Sequence, residues 1–155
     1  MTHSFSQRGQ RLTVVTAVIA ALLWRLAAAP FFGVVPNVML VAVLVMAFFV
    51  RDPLLFAWGI AGVLLSSVYL PFFQVEYLLL VALGMAGFLF ARMFVFERKL
   101  ALFIGIVGIA QGIWWIGIGY GTEILGIPFV SEFLYNAIVA SALFFVVVWL
   151  EETFS

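Results

Sequence analysis

The charged residues of this chain are spaced so that apolar runs of helix length lie between them, and this constrains the fold more than any other feature. Apart from Arg25, no charge interrupts the sequence from Leu12 to Val50; further uncharged runs follow from Pro53 to Val75, Tyr77 to Ala91, Leu100 to Thr122 and Phe133 to Leu150. Crossing the hydrocarbon of a bilayer takes roughly 20 apolar residues per helix. Of the 155 residues, 67% are hydrophobic and 9% are charged, against about 25% charged in a soluble domain. A soluble core cannot absorb that much apolar surface, whereas a bilayer can. The expectation is an all-α integral membrane protein, a single polytopic membrane domain over 1–155 with the lipid bilayer as its main surroundings. It leaves no stretch for a separate catalytic domain.

The formal net charge is zero, which removes the electrostatic case for a nucleic-acid partner. No cysteine is present, so neither disulfides nor thiolate metal ligands are available. The single histidine, His3, lies in a polar tail and reads as solvated, so no metal site and no cofactor are expected. The polar start with Arg8 and Arg11 followed by an apolar run has the form of a signal peptide. That run is long, carries Arg25 and reaches Pro30 without a convincing cleavage site, so it reads as a retained first helix.

Charges and prolines divide the chain into six transmembrane helices at about 12–29, 37–50, 53–70, 75–94, 100–120 and 132–150. Arg51-Asp52-Pro53 ends the second and opens the third, since proline suits a first helical turn where its missing N–H would be unpaired. Pro71-Phe72-Phe73-Gln74 makes a turn, Glu97-Arg98-Lys99 is the most polar loop, and Gly121 to Ser131 is the longest connection, in which Ile124 to Val130 has the character of an interfacial segment. With six helices, Arg8, Arg11, Arg51, Arg92, Arg98 and Lys99 all fall on one side. The excess of Lys and Arg on cytoplasmic loops then places both termini in the cytoplasm.

Helices three, four and five each carry small residues at i, i+3 and i+7: Gly59, Gly62 and Ser66; Gly84, Gly87 and Ala91; Gly105, Gly108 and Gly112. Each set lies on one helical face. In lipid, close backbone approach drives helix association, so these three helices are expected to meet along their glycine faces. Gly108 and Gly112 form a literal GxxxG, for which internal packing is a better reading than a homodimer. Ala17, Ala21 and Arg25 share a face of helix one, and Ala137, Ala140 and Ser141 give helix six a small patch; either is a candidate contact for a partner helix. The oligomeric state stays open.

Polar residues inside a membrane earn a functional hypothesis. Arg25 lies roughly 20 Å along the helix from Arg11, near the outer edge of the hydrocarbon, where it snorkels to headgroups, pairs with Glu76, Glu123 or Glu132, or meets a substrate anion. Glu132 and Asn136 are spaced i, i+4 with Tyr135 beside them. Glu132 suits a helix start, and Asn136, one turn deeper, calls for an interhelical hydrogen bond. Trp24, Trp58, Trp114, Trp115, Tyr120 and Trp149 suit interfacial belts; a ligand pocket around Gln111 is the lesser reading. No nucleophile–base pair, phosphate loop or metal motif occurs, so enzymatic activity is not expected.

The order of these features resembles the rod shape-determining protein MreD family, small and nearly all-membrane proteins of similar length. The resemblance runs through Val35-Pro36-Asn37-Val38-Met39-Leu40 at the opening of helix two and the basic break Arg51-Asp52-Pro53. It continues through the glycine-rich Gly59 to Leu65, the turn Leu70-Pro71-Phe72-Phe73, the end of helix four near Arg92, and Glu132-Phe133-Leu134-Tyr135-Asn136 opening helix six. Many members carry an Asp late in helix three, where this chain has Ser66-Ser67, so no role of that acid carries over. The resemblance implies a non-enzymatic scaffold of the bacterial cell-elongation machinery in the cytoplasmic membrane, supporting cell shape and peptidoglycan synthesis with a single-span partner resembling MreC. The alternative is the substrate-binding membrane subunit of an energy-coupling factor type vitamin or metal-ion transporter. Its ligand would sit near Gln111, Trp115, Glu123 and Asn136.

Overall fold

A computed structural model describes residues 6–27, 37–66, 75–93, 100–118 and 126–154, with the side chains of 25–27 excepted. The described residues form six helices and no strand: α1 (Gln7–Ala27), α2 (Val38–Phe49), α3 (Pro53–Ser66), α4 (Val75–Met93), α5 (Leu100–Gly117) and α6 (Ile127–Phe154). Tyr120, Glu123, the Pro71 turn and the Glu97-Arg98-Lys99 loop lie outside the described residues, as does the Arg25 side chain.

The helix starts follow from their caps. Ser6 precedes α1, and its Oγ accepts a hydrogen bond from the Gly9 amide at 3.0 Å, as an N-cap side chain does. The helix therefore begins at Gln7, ahead of the expected Leu12, because polar residues end a hydrocarbon span without ending a helix. Asn37 caps α2 in the same way, its Oδ1 accepting from the Leu40 amide at 3.1 Å. At the junction of α2 and α3, Val50 is extended and Pro53 opens the new helix. Asp52 Oδ1 accepts from the amides of Leu54 at 2.9 Å and Leu55 at 3.4 Å. Gln10 of α1 reaches across, its Oε1 accepting from the amides of Arg51 at 2.8 Å and Asp52 at 3.1 Å. These bonds satisfy backbone donors that would be costly to leave bare beside lipid.

The start of α6 differs from expectation. The helix begins at Ile127, so 127–131 is its first turn and not part of a connecting loop. Pro128 is tolerated there because first-turn amides have no intrahelical acceptor. Glu132 is consequently a second-turn residue and does not open the helix. At its far end α6 continues through Glu151 and Glu152 to Phe154, 28 residues in all, about 42 Å at 1.5 Å per residue.

Successive helices run antiparallel. Phe56 near the start of α3 stacks on Phe88 near the end of α4, ring centroids 4.3 Å apart, and Leu79 near the start of α4 meets Gly117 at the end of α5. The Ser6 amide donates to Glu151 Oε1 at 3.1 Å, which brings the two ends of the described chain to one end of the bundle. Arg8 lies over the Phe154 ring and Arg92 over the Phe88 ring. With Gln10 on the backbone of Arg51, these contacts gather Arg8, Arg51 and Arg92 at that same end.

The short helix α2 is the centre. Every residue of it except Met39 and Phe48 is buried, as expected of a helix that is hydrophobic all round. Phe49 packs on Phe144 of α6 and Phe48 on Phe103 of α5, with ring centroids 5.2 and 5.4 Å apart. The five helices around it each bury one stripe and leave large apolar side chains outside, among them Trp58, Leu65, Ile109, Ile138 and Phe145. Exposed apolar surface on this scale is unusual for a water-soluble monomer and suits lipid. Three of the helices, α4, α5 and α6, are long and apolar enough to cross a membrane.

The glycine faces do not meet one another as expected. Gly59 faces Met46 and Val14, Gly62 faces Val18, Gly84 faces Val43, and Gly87 faces Leu44 and Ala47. Those glycines of α3 and α4 thus receive chiefly side chains of α1 and α2; Gly84 lies in addition against Ile60 and Phe56 of α3, and Phe56 stacks on Phe88. The physical reason is that α2 carries branched and large side chains over its whole circumference, and its neighbours supply the room. Ser66 is buried and its Oγ donates to the Val63 carbonyl at 2.6 Å; Ala91 is half-buried. On α5, Gly108 receives the Phe133 ring of α6, but a side chain added at Gly105 or Gly112 would meet nothing within 4 Å.

Candidate functional site

Polar groups of α5 and α6 meet inside the bundle. The antiparallel pairing of these helices puts Gln111 opposite Asn136 and Trp115 opposite Glu132. Asn136 Nδ2 donates to Gln111 Oε1 at 3.0 Å, and Gln111 Nε2 donates a long bond, 3.5 Å, to the Phe129 carbonyl. Trp115 Nε1 donates to Glu132 Oε2 at 2.8 Å. The Trp115 indole also packs edge-on against Phe129. Gln111 and Asn136 have no exposed surface, so each depends on the other in an apolar surround where an unmade hydrogen bond is costly. Asn136 Oδ1 is buried and has no protein partner, which leaves one acceptor for a water or a ligand donor.

The interhelical bond expected for Asn136 is thus made to Gln111. Trp115 departs from the belt assignment: it is buried, because the Glu132 carboxylate offers its N–H a partner inside. Trp114 is half-buried against the core, while Trp58 and Trp149 are exposed. Tyr135 is half-buried beside the cluster. Sequence spacing makes Glu132 and Asn136 neighbours, and of the pocket Gln111, Trp115, Glu123 and Asn136 the structure brings together all but Glu123, which lies outside the described residues; spacing does not reveal that these side chains bond chiefly to one another.

Ala17 and Ala21 are about 1% exposed and belong to the core. This corrects their assignment as an outward contact face: the small stripe of α1 is used within the bundle, where Val14 and Val18 beside it fill the space over Gly59 and Gly62. On α6, Ala140 is buried and Ser141 donates to the Ala137 carbonyl at 2.7 Å, which leaves no outward polar handle there.

An open groove lies between α4 and α5. Its volume is about 230 Å³, and it has Leu44, Leu83, Gly87 and Ala110 among its lining residues, with Ala86 and Phe90 contributed by α4 and Ile106, Ile109 and Ile113 by α5. Its lining is almost wholly apolar. Leu44 belongs to the central helix, so the groove reaches down to α2, helped by the small side chains of Ala86, Gly87 and Ala110. A second cavity, of about 280 Å³, lies at the basic end between α1 and α3 and is lined by both charged and apolar residues. Among the described residues no group of three metal-ligating side chains occurs. No family model, curated protein or solved structure matches this chain.

Proposed function

We propose that this protein is a six-span scaffold of the cytoplasmic membrane, with both termini in the cytoplasm, that binds the transmembrane helix of a single-span partner and supports cell shape and wall synthesis in the manner of the MreD family. The observation that carries this reading is the apolar groove between α4 and α5 on a bundle whose centre is filled by α2. An interior packed by an apolar helix leaves the outer helix faces as the means of recognition. A groove with small residues in its lining lets another helix approach closely, which is what drives association in lipid. The six-span count is supported by the alternation of helix direction and by the gathering of Arg8, Arg51 and Arg92 at one end.

Purification in mild detergent is expected to recover a single-span membrane protein of the wall-synthesis machinery, and depletion is expected to round the cells. Recovery of an ATP-binding transport complex, with normal shape on depletion, would oppose the proposal. Reporter fusions test the topology: alkaline phosphatase joined after Met93 is expected to be inactive and after Gly117 active. The opposite pattern would invert the bundle.

One observation favours a second reading as a ligand-capture subunit of an energy-coupling factor type transporter. Gln111, Trp115, Glu132 and Asn136 converge in space, and Asn136 Oδ1 is left open. On that reading a vitamin or metal-ion panel raises the melting temperature of the purified protein; on the scaffold reading the panel leaves it unchanged.

A further inference from the structure

The cavity at the basic end has a different chemistry from the rest of the surface. Arg11 and Gln7 of α1 line one side and Asp52 the other, with Leu54, Leu55 and Trp58 of α3 continuing away from the charges. Arg11 and Asp52 are both exposed. One carboxylate oxygen of Asp52 is occupied by the amides of Leu54 and Leu55, and Oδ2 has no protein partner among the described residues. Gln10 is held by the backbone of Arg51 and Asp52, so it ties the start of α1 to the α2–α3 junction at the floor of the cavity. Trp58 is 69% exposed and Leu54 68%, an apolar wall that begins where the charged rim ends. At about 280 Å³ the cavity falls just below pockets that enclose a drug-sized ligand, roughly 300–1,000 Å³. It suits a headgroup whose chains stay outside.

We infer that this cavity is a binding site for a zwitterionic phospholipid bearing a primary ammonium, a phosphatidylethanolamine-type headgroup. The inference rests on the reading of the basic end as lying at a headgroup layer. Arg11 takes the phosphate, Asp52 Oδ2 takes the ammonium, and the glycerol and chains run along Leu54 and Trp58 into the hydrocarbon. Phosphatidylcholine fits less well because its quaternary ammonium has no N–H to donate to Asp52. Phosphatidylglycerol fits less well because it brings no cation to the carboxylate. The apolar wall assigns the phosphoethanolamine group to a lipid and not to a free metabolite, since Trp58 and Leu54 would otherwise face nothing apolar in the ligand.

The test is native mass spectrometry of the full-length protein released from nanodiscs of equimolar phosphatidylethanolamine, phosphatidylcholine and phosphatidylglycerol with identical chains. The ethanolamine lipid is expected to be retained about threefold or more over each of the others, the scale of one partly exposed ion pair. Asp52→Asn keeps an N-cap residue, so its helix content and melting temperature should be unchanged while the preference over phosphatidylglycerol disappears. Arg11→Gln should lower retention of all three lipids. An excess of soluble phosphoethanolamine should leave the lipid in place. Any other order of retention in the native protein, an unaltered preference in Asp52→Asn, or displacement by the soluble headgroup overturns the inference. None of these outcomes depends on a protein partner, so its failure is separable from that of the scaffold proposal.

Discussion

Replacing Gly84 by leucine is expected to lower the melting temperature of the purified protein by about 5 °C or more, while Gly105→Leu leaves it unchanged or raises it by a few degrees. A Cβ at Gly84 would collide with Val43 of the central helix and lie 3.5 Å from Ile60 and 3.7 Å from Phe56. Val43 is β-branched, has no exposed surface and has few rotamers to move into. The added side chain therefore has to push α4 away from α2. Overpacking of this kind costs about 1–3 kcal/mol and occasionally more, and each kcal/mol moves the melting point of a chain this size by about 2–4 °C. At Gly105 the same side chain enters open space and gains helix propensity, up to about 1 kcal/mol. Equal melting temperatures for the two variants would mean that α2 is not the central helix.

The second large effect is at the α5–α6 polar pair. Gln111→Leu is expected to destabilise the protein by about 1–2 kcal/mol, because it removes the acceptor of a buried amide that already has one unpaired atom. The double variant Gln111→Leu with Asn136→Leu should cost less than the sum of the two single changes, since the second substitution deletes the group the first one orphaned. Denaturant titration in mixed micelles measures the cycle. Additive costs would show that the two side chains do not depend on one another.

Hydrophobic runs and charge spacing carried the number of helices and most of their limits, and where a cap is described it is a residue of that kind: Asn37 at α2 and Asp52 before Pro53 at α3. The two shifted starts have local causes. Ser6 caps α1 ahead of the apolar run, and Pro128 lies inside the first turn of α6 although it resembles a loop residue. Neighbour relations were harder to read. In water, the apolar stripe of a helix tells which face is inside; in lipid, both faces of α3, α4 and α5 are apolar, so periodicity cannot separate them. Small-residue spacing found faces that make room at Gly59, Gly62, Gly84 and Gly87. It did not reveal that Val14, Val18, Val43 and Met46 would fill that room. One signal for the centre was present: α2 carries no charged or polar residue within its length and is bulky all round. The same ambiguity hid the inward turn of Ala17 and Ala21. Frequency alone places Trp115 at the interface; its surroundings depend on Glu132, which a connecting segment separates from it in sequence.

The central claim is that this bundle works through an outer helix face, the groove between α4 and α5. Site-specific photo-crosslinking in intact membranes tests it most directly, with the probe placed at Ile109 in the groove and, for comparison, at Leu65 on α3, both exposed. The account predicts a discrete adduct with one single-span membrane protein from Ile109 and only lipid adducts from Leu65. Lipid adducts alone from Ile109, or the same protein adduct from both positions, would contradict it.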